Sequence, residues 1–206
     1  MIMKSIVLDI MKFKQLIFTI SFFVVCSSFI FAQTKNEVEL RIEVSEFPQQ
    51  AQSYIDSFKN DFKRIKYFKE TDGTKVSYET KFKFKGHHFS VEFNKDGLLE
   101  DIEILIAKRH IPDAVFERIK SEMGGKYDKF RFLKIQKQYK NTEGRNDPLI
   151  MQHALDNIDS DHIFYEIITE VKIDKTRKLM ELTFSKEGGF EMAKEVARES
   201  YEHVLY

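Results

Sequence analysis

The chain has 206 residues, with 33 basic and 33 acidic side chains, 42% hydrophobic residues, one cysteine and no tryptophan. This length suits one globular domain, or two small units that share a core. The balanced charge excludes a nucleic-acid footprint over the whole domain, which would need an excess of basic residues. The aromatic content of 14% excludes a disordered chain, because burial of so many rings can offset the entropy lost on folding.

Residues 1–32 differ in composition from the rest of the chain. A stretch with lysines is followed by an uncharged, mostly apolar run from Gln15 to Phe31, and then by the small residue Ala32. This layout is typical of a cleaved secretory signal peptide. We therefore expect a periplasmic or extracellular protein without a membrane span after cleavage. An uncleaved membrane anchor and a lipid anchor at Cys26 are the alternatives.

Cleavage after residue 32 would remove Cys26, the only cysteine of the chain. The exported protein would then contain no thiol, so that its stability must come from packing and not from disulfides. Cysteine nucleophiles, thiolate metal sites and iron–sulfur clusters are excluded for that form.

Two helices are predicted, each with a proline at its first position, where no amide donor is missed. Apolar residues recur every three or four positions after Pro48 and again after Pro112, which predicts one buried stripe on each helix. Gly124-Gly125 is expected to end the second helix. Pro48 aligns with Pro112 at an offset of 112 − 48 = 64 residues, which indicates a repeat.

Each helix is followed by a predicted strand and then by a hairpin. The segment from Val76 to Phe84 alternates apolar and polar residues, as a half-buried strand does. A turn at Gly86-His87 would place Lys81 opposite Glu92. The second copy shows the same alternation, with a longer loop from Asp174 to Arg177. Two hairpins with matching inner faces favour a duplicated unit.

The remaining segments complete this plan. Residues 38–44 alternate as an additional strand, residues 140–161 form an insertion with a short helix, and residues 191–206 have a helical composition. The exported chain is therefore divided into an N-terminal strand with a first repeat at 33–109 and a second repeat at 110–206.

The order of these motifs resembles the PepSY-like family, in particular the exported type found in Bacteroidetes, which is grouped with the beta-lactamase-inhibitor-like fold. The likeness extends over about residues 46 to 190. It rests on Glu46-Phe47-Pro48, Tyr78-Glu79, Val91-Glu92-Phe93, Asp96-Gly97 and Asp101-Ile102-Glu103 in the first copy, and on Ile111-Pro112, Tyr165-Glu166 and Phe184 to Gly188 in the second.

This resemblance implies an α+β fold of tandem helix-plus-antiparallel-sheet repeats, with helices on one face of the sheet and a concave surface on the other. It also implies a non-catalytic protein-binding module that inhibits or regulates a peptidase or another envelope protein. It transfers no catalytic residue, no metal site and no cofactor.

Motifs for metal binding are weak throughout the sequence. His87 and His88 are adjacent, so that on a strand they point to opposite sides and cannot share one ion. The acidic run Asp156, Asp159 and Asp161 lacks the glycine and the glutamate of a calcium-binding loop. We expect no metal site.

The polar face of the predicted sheet carries two candidate sites. Glu79 and Glu166 are a repeated pair of carboxylates, which would serve an envelope hydrolase if they acted as acid and base, although pairing with lysines is the simpler interpretation. Phe164, Ile168 and Leu179 interrupt this polar face with apolar side chains. They form a partner-binding patch, unless the insertion helix folds over them. Self-association through this face is a further alternative.

Overall fold

A computed structural model describes residues 33–197. The predicted signal peptide, residues 1–32 with Cys26, and residues 198–206 lie outside this part. The described chain forms ten strands and three α-helices. The strands are β1 (Gln33–Lys35), β2 (Glu37–Ile42), β3 (Lys63–Asp72), β4 (Lys75–Phe84), β5 (His87–Asn94), β6 (Leu99–Leu105), β7 (Lys129–Lys140), β8 (Ile163–Ile173), β9 (Thr176–Ser185) and β10 (Phe190–Val196), and the helices are α1 (Gln49–Asp56), α2 (Asp113–Lys126) and α3 (Pro148–Asp156).

All ten strands belong to one sheet, in the order β1-β10-β9-β8-β7-β6-β5-β4-β3-β2. Neighbours are antiparallel except for β1 and β10, which are parallel. The two edge strands, β1 and β2, are consecutive in the chain and are separated only by Asn36. The sheet is therefore nearly closed on itself, because its first and last strands meet at a single residue.

The predicted fold class, an α+β fold of tandem helix-plus-antiparallel-sheet repeats, is wrong. Strands dominate the structure, and the strands on both sides of the expected repeat boundary pair directly through β6 and β7, from Asp101–Lys140 to Leu105–Gln136. A helix followed by four strands does occur twice in chain order, but the eight strands form one continuous sheet. Periodicity within a segment carries no information about this pairing between segments.

Both hairpin registers differ from the predicted ones by two residues. The β4–β5 turn is formed by Lys85-Gly86 and the β8–β9 turn by Asp174-Lys175, all with positive φ. Such two-residue turns match the twist of the strands. A residue other than glycine is uncommon at positive φ, so the prediction placed the first turn at Gly86-His87, and it made the second loop two residues too long. A shift of two residues keeps each side chain on its face but changes its neighbour across the strands.

The three helices cover the outer face of the sheet. Tyr54 and Ile55 of α1 and Met151 of α3 pack into one hydrophobic cluster over the first half of the sheet. Phe116 and Ile119 of α2 pack into a second cluster over the other half. The short helix of the 140–161 insertion is thus part of the core.

The glycines of the repeated motifs make room for these helices. Gly97 and Gly188 both have positive φ. A Cβ atom at Gly97 would lie 3.1 Å from the backbone nitrogen of Ala51, and one at Gly188 would lie 2.7 Å from the backbone oxygen of Val115. The two turns therefore require glycine both for their conformation and for the close approach of a helix.

The helix predicted over residues 191–206 is wrong for residues 191–196, and residues 198–206 lie outside the described part. Phe190 to Val196 form strand β10, which pairs with β9 on one side and with β1 on the other. Neighbouring strands on both sides outweigh a composition that favours a helix.

Candidate functional site

The inner face of the sheet encloses a cavity of about 500 Å³, which is lined by residues from every strand from β1 to β9. Its lining includes eight glutamates. Five inner carboxylate side chains are buried, namely Glu70, Glu79, Asp101, Glu103 and Glu181. We call this region the carboxylate interior.

The face predicted to be open and solvated is thus the inside of a nearly closed sheet. Glu79 forms an ion pair with Lys81, with Nζ 2.9 Å from Oε2, as the simpler interpretation expected. Burial raises the pKa of Glu79 and, together with the nearby charges of Glu103 and Glu181, holds the pKa of Glu166 well above its ordinary value.

One row across the carboxylate interior consists of three acids. In the observed register Glu79 lies opposite Glu92, and Glu92 lies opposite Asp101. Like charges at directly opposite positions destabilise a sheet, and the expected pairing of Glu92 with Lys81 does not occur because Lys81 lies opposite Ser90. Burial raises the pKa of Glu92 to about 7, and the charges of Glu79 and Glu37 act in the same direction.

Glu92, Asp101 and Glu103 form a compact group that we call the β5–β6 cluster. Each contributes a carboxylate oxygen, and these oxygens lie within 4.8 Å of one another. Burial, with the negative charge of Glu92, raises the pKa values of Asp101 and Glu103 well above the ordinary range. These three acids could hold a cation.

Glu39, Glu70 and Glu79 form a second group with oxygens within 4.8 Å, which we call the Lys81 cluster. It already holds a cation, because Lys81 forms ion pairs with both Glu39 and Glu79. Burial opposes the charge of Lys81, yet the two glutamates raise its pKa above the ordinary value.

The residues of the predicted partner-binding patch are not together at the surface. Ile168 and Leu179 are buried in a small cluster with Val196, at 1% and 4% exposure. Phe164 is half-buried, with the Lys140 ammonium 4.8 Å from its ring centroid. Their cover comes from β10 and not from the insertion helix, which packs on the outer face. Partner binding through these residues stays a prediction.

A groove of about 910 Å³ lies between the turn at Lys108–His110 and the first residues of β7. We call it the basic groove. Four lysine or arginine residues and three histidines line it, and its lining contains no acidic residue. Its charged and histidine residues are Lys108, Arg109, Lys120, Lys134, His87, His88 and His110.

Apolar side chains accompany these cations in the basic groove. Leu105 and Leu133 are 40% and 37% exposed. Phe116 and Phe132 pack ring against ring with centroids 5.6 Å apart, and the Lys108 ammonium lies 4.5 Å from the centroid of Phe116. The groove therefore presents both positive charge and apolar surface.

The basic groove also borders an unpaired stretch of strand. Pairing between β6 and β7 ends at Leu105 and Gln136, after which one backbone bond joins Ile106 to Ile135. Residues 129–134 of β7 pair with β8, but within residues 33–197 no strand pairs with them on the side towards β6. Such an edge offers backbone donors and acceptors to another extended segment.

The sequence pointed to Glu79 and Glu166 of the carboxylate interior, but not to the β5–β6 cluster or the basic groove. Glu92, Asp101 and Glu103 belong to the motifs that carry the family resemblance, and no site was predicted from them. Side chains alternate between the two faces along each strand, and this alternation puts Glu92 of β5 and Asp101 and Glu103 of β6 on the same face. The alternation is the signal from which the sequence could have indicated the three acids. Of the acidic run in the insertion, Asp159 accepts a hydrogen bond from the Lys137 ammonium at 2.9 Å.

Neither a protein-family model nor a curated protein sequence matches the chain. Solved structures from Bacteroides do. A DUF2874 family protein from Bacteroides ovatus is 12% identical, with a TM-score of 0.48 over 72% of this chain and 87% of its own. A BLIP-like protein from Bacteroides fragilis is 17% identical, with a TM-score of 0.45 over 72% and 86%. A periplasmic protein from Bacteroides eggerthii is 11% identical, with a TM-score of 0.49 over 75% and 94%.

The names of the first two structures, DUF2874 and BLIP-like, are those of proteins similar to the group that the sequence resembles. The location predicted for the chain, periplasmic or extracellular, agrees with the periplasmic name of the Bacteroides eggerthii protein. Within residues 33–197, no helix has the length and apolar character that crossing a bilayer requires. The likeness concerns the fold, and it identifies neither a partner nor an activity.

Proposed function

We propose that the protein is an exported, non-catalytic protein-binding module of the cell envelope, and that its basic groove takes an acidic, extended segment of a partner protein. The resemblance of the sequence to PepSY-like proteins supports a binding role that inhibits or regulates an envelope protein. The observation that carries the proposal is the unpaired edge of β7 beside a groove without acidic lining residues.

Charge defines the first property of the partner. Lys108 and Arg109 follow each other in the turn at one side of the groove, and Arg109 has no ion-pair partner within residues 33–197. Cationic side chains without acidic neighbours attract an anionic segment and increase the rate at which it associates.

Backbone geometry defines the second property. A segment that adds to residues 129–134 as a further strand would gain main-chain hydrogen bonds. Its side chains would alternate between the two faces, as in any strand. Apolar side chains of the segment could then contact Leu105 and Leu133, which are both partly exposed.

Two features favour binding over catalysis. Glu79, one of the two candidate catalytic acids, is held by Lys81. Glu166 has a strongly raised pKa but lies among further acids inside the sheet. The alternatives, an envelope hydrolase that uses these carboxylates and a self-associating structural protein, stay predictions. Loss of turnover in Glu79→Gln or Glu166→Gln would be the sign of the hydrolase.

A defined peptide tests the proposal. The probe is a fluorescent peptide in which glutamate alternates with phenylalanine, and its binding to the exported protein is followed by fluorescence anisotropy. We expect saturable binding that weakens at high salt, because screening reduces the attraction between exposed charges. The double variant Lys108→Glu, Arg109→Glu should weaken binding by about tenfold or more.

The matched control is the double variant Lys63→Glu, Lys95→Glu, which changes the net charge equally at exposed positions outside the groove. It should bind the peptide almost as the unaltered protein does. Equal weakening in both double variants, or equal binding of a peptide with lysine in place of glutamate, would contradict the proposed groove.

A further inference from the structure

The cavity inside the sheet has a cationic end. Arg64 and Lys66 at the start of β3, Lys83 near the end of β4 and His88 at the start of β5 all line the cavity. Both β3 and β5 run antiparallel to β4, so that these positions lie at the same end of the three strands. We call this set of four residues the cationic rim.

The strand register brings the members of the cationic rim together. Lys83 lies directly opposite His88 of β5. On the other side of β4, Lys83 lies opposite Lys63, and a bulge in β3 separates Lys63 from Lys66. Arg64 lies within this bulge with a φ of 58°, which is uncommon for a residue other than glycine. Bulges beside functional sites redirect side chains, and Arg64 lines the cavity.

The cationic rim lacks the acidic partners that balance a neighbouring lysine deeper in the cavity. Lys81, the preceding inner residue of β4, forms ion pairs with two glutamates. Within residues 33–197, by contrast, Arg64, Lys66 and Lys83 form no ion pair with an acidic side chain. Their guanidinium and ammonium groups also donate no hydrogen bond there. Three positive charges at this end of the cavity are therefore available to an anion.

The positive charges of the cationic rim act on one another. Burial lowers the pKa of His88, and the nearby charges of Lys83 and Arg64 lower this pKa further. Like charges at directly opposite positions, such as Lys63 and Lys83, destabilise a sheet. An anion bound among these groups would remove this repulsion.

The donors of the cationic rim select the class of anion. A guanidinium group is a planar fork that binds two oxygens of a phosphate group, and a lysine ammonium group binds phosphate as a point charge. The rim residues come from three strands, so that an anion that bridges them needs several acceptor oxygens. A phosphate group has these oxygens and up to two negative charges, whereas a carboxylate has two oxygens and one charge.

We propose that the cationic rim binds a doubly charged phosphate group at this end of the cavity, with Arg64, Lys66 and Lys83 as its cationic ligands and His88 beside them. The anion would balance the three cations and would join β3, β4 and β5. The rim shares only His88 with the basic groove. This inference goes beyond the proposed function, and either can fail without the other.

Calorimetry and thermal unfolding test the site on the full chain, expressed with its own N-terminal segment and purified after export in chloride buffer. The probe is inorganic phosphate at pH 8, where most of it carries two charges, and acetate at equal ionic strength is the comparison. We expect one phosphate per chain with a Kd of about 1 mM or below. The melting temperature should rise with phosphate, because a ligand of the folded state stabilises it, and acetate should have a much smaller effect.

The double variant Arg64→Gln, Lys83→Gln should weaken phosphate binding by about tenfold or more. The matched control is Arg145→Gln, Lys95→Gln, which removes the same two charges at exposed positions that do not line the cavity, and it should bind phosphate as the unaltered protein does. In chloride buffer the first double variant should melt no lower than the unaltered protein, because the two cations have no acidic partner to lose.

The ring of His88 reports the position of the bound anion. In proton NMR, assigned with His88→Gln, we expect the pKa of His88 to be higher in phosphate than in chloride of equal ionic strength, because a nearby negative charge favours the protonated form. His153 of α3 does not line the cavity, and its titration should be the same in both salts.

Phosphatidylcholine vesicles with and without phosphatidic acid distinguish the source of the phosphate group. Cosedimentation with phosphatidic acid that free phosphate displaces would indicate a lipid headgroup, and binding of free phosphate alone would indicate a soluble ligand. Absence of saturable binding up to about 10 mM phosphate would overturn the proposal. An equal response to acetate, or an equal loss of binding in both double variants, would also overturn it.

Discussion

The carboxylate interior and the basic groove are adjacent polar regions of one sheet that differ in charge, although His88, Leu105 and Lys134 line both. In the carboxylate interior, buried side chains such as Glu70 and Glu103 are acidic, and the lysines that balance them are partly exposed. In the basic groove, Lys108 and Arg109 stand at the surface without acidic lining residues. The net charge of zero for the whole chain conceals this separation.

The difference between the two regions follows from how strands are paired. Where every strand has two neighbours, the sheet curves and encloses its inner side chains, so that their charges depend on one another. Where β6 ends at Leu105 and β7 continues alone, the sheet leaves a gap that solvent and a partner can enter. Charges in the enclosed region therefore affect stability, and charges in the open region affect binding.

Removal of one lysine from each region should show the largest contrast. Lys81→Met leaves Glu39 and Glu79 without their cation inside the sheet. We expect the free energy of unfolding at pH 8 to fall by about 3 kcal/mol, the usual cost of breaking a buried ion pair by removing one partner. Urea titration at pH 8 measures this loss.

Lys108→Met in the basic groove is the control for this change. Lys108 is exposed, and we expect its replacement to change the free energy of unfolding by about 0.5 kcal/mol or less. A loss in Lys108→Met as large as that in Lys81→Met would show that the two regions do not differ as described.

The pH dependence of stability should give a smaller effect, attributable to Glu92. Its pKa in the folded protein is about 7, against 4.5 as the ordinary value. A raised pKa means that its contribution to stability is fully present below about pH 4.5 and is lost as the pH rises through about 7. In EDTA, the unaltered protein should therefore lose about 2 kcal/mol relative to Glu92→Gln between pH 5 and pH 7.

Urea titrations of both proteins across this pH range measure the difference. Other interior acids titrate in both proteins, and because the charge of Glu92 raises the pKa values of Asp101 and Glu103, the difference also includes their response to its removal. A variant that removes a lysine or arginine from the basic groove is not a suitable control for this pH dependence, because neither side chain titrates between pH 5 and pH 7. Parallel stability curves for the unaltered protein and Glu92→Gln would contradict the raised pKa.

Local patterns in the sequence predicted much of the secondary structure. Alternation at Val76 to Phe84 predicted β4, and the apolar stripes after Pro48 and Pro112 predicted α1 and α2. The second helix continues through Gly124-Gly125 to Lys126, because nearby packing of Met123 outweighs the weak helix propensity of glycine.

Features that depend on pairing between distant segments could not be predicted in this way. The near closure of the sheet depends on the parallel contact of Lys35 with Val196, 161 positions apart (196 − 35). The same closure changed the environment of Ile168 from a presumed surface to a buried cluster with Val196. The row of Glu79, Glu92 and Asp101 forms only in the observed β4–β5 register, with its turn at Lys85-Gly86. The predicted turn one residue later would shift the pairing by two residues and place Lys81 opposite Glu92.

The ionisation of Glu92 tests the enclosed acidic face most directly. A carbon-13 NMR titration of the side-chain carboxyl groups, recorded in EDTA and assigned with Glu92→Gln, follows this residue by itself. The structure predicts a midpoint for Glu92 at about 7, because burial and the charges of Glu79 and Glu37 oppose its ionisation. A midpoint near the ordinary value of 4.5 would contradict an enclosed carboxylate interior.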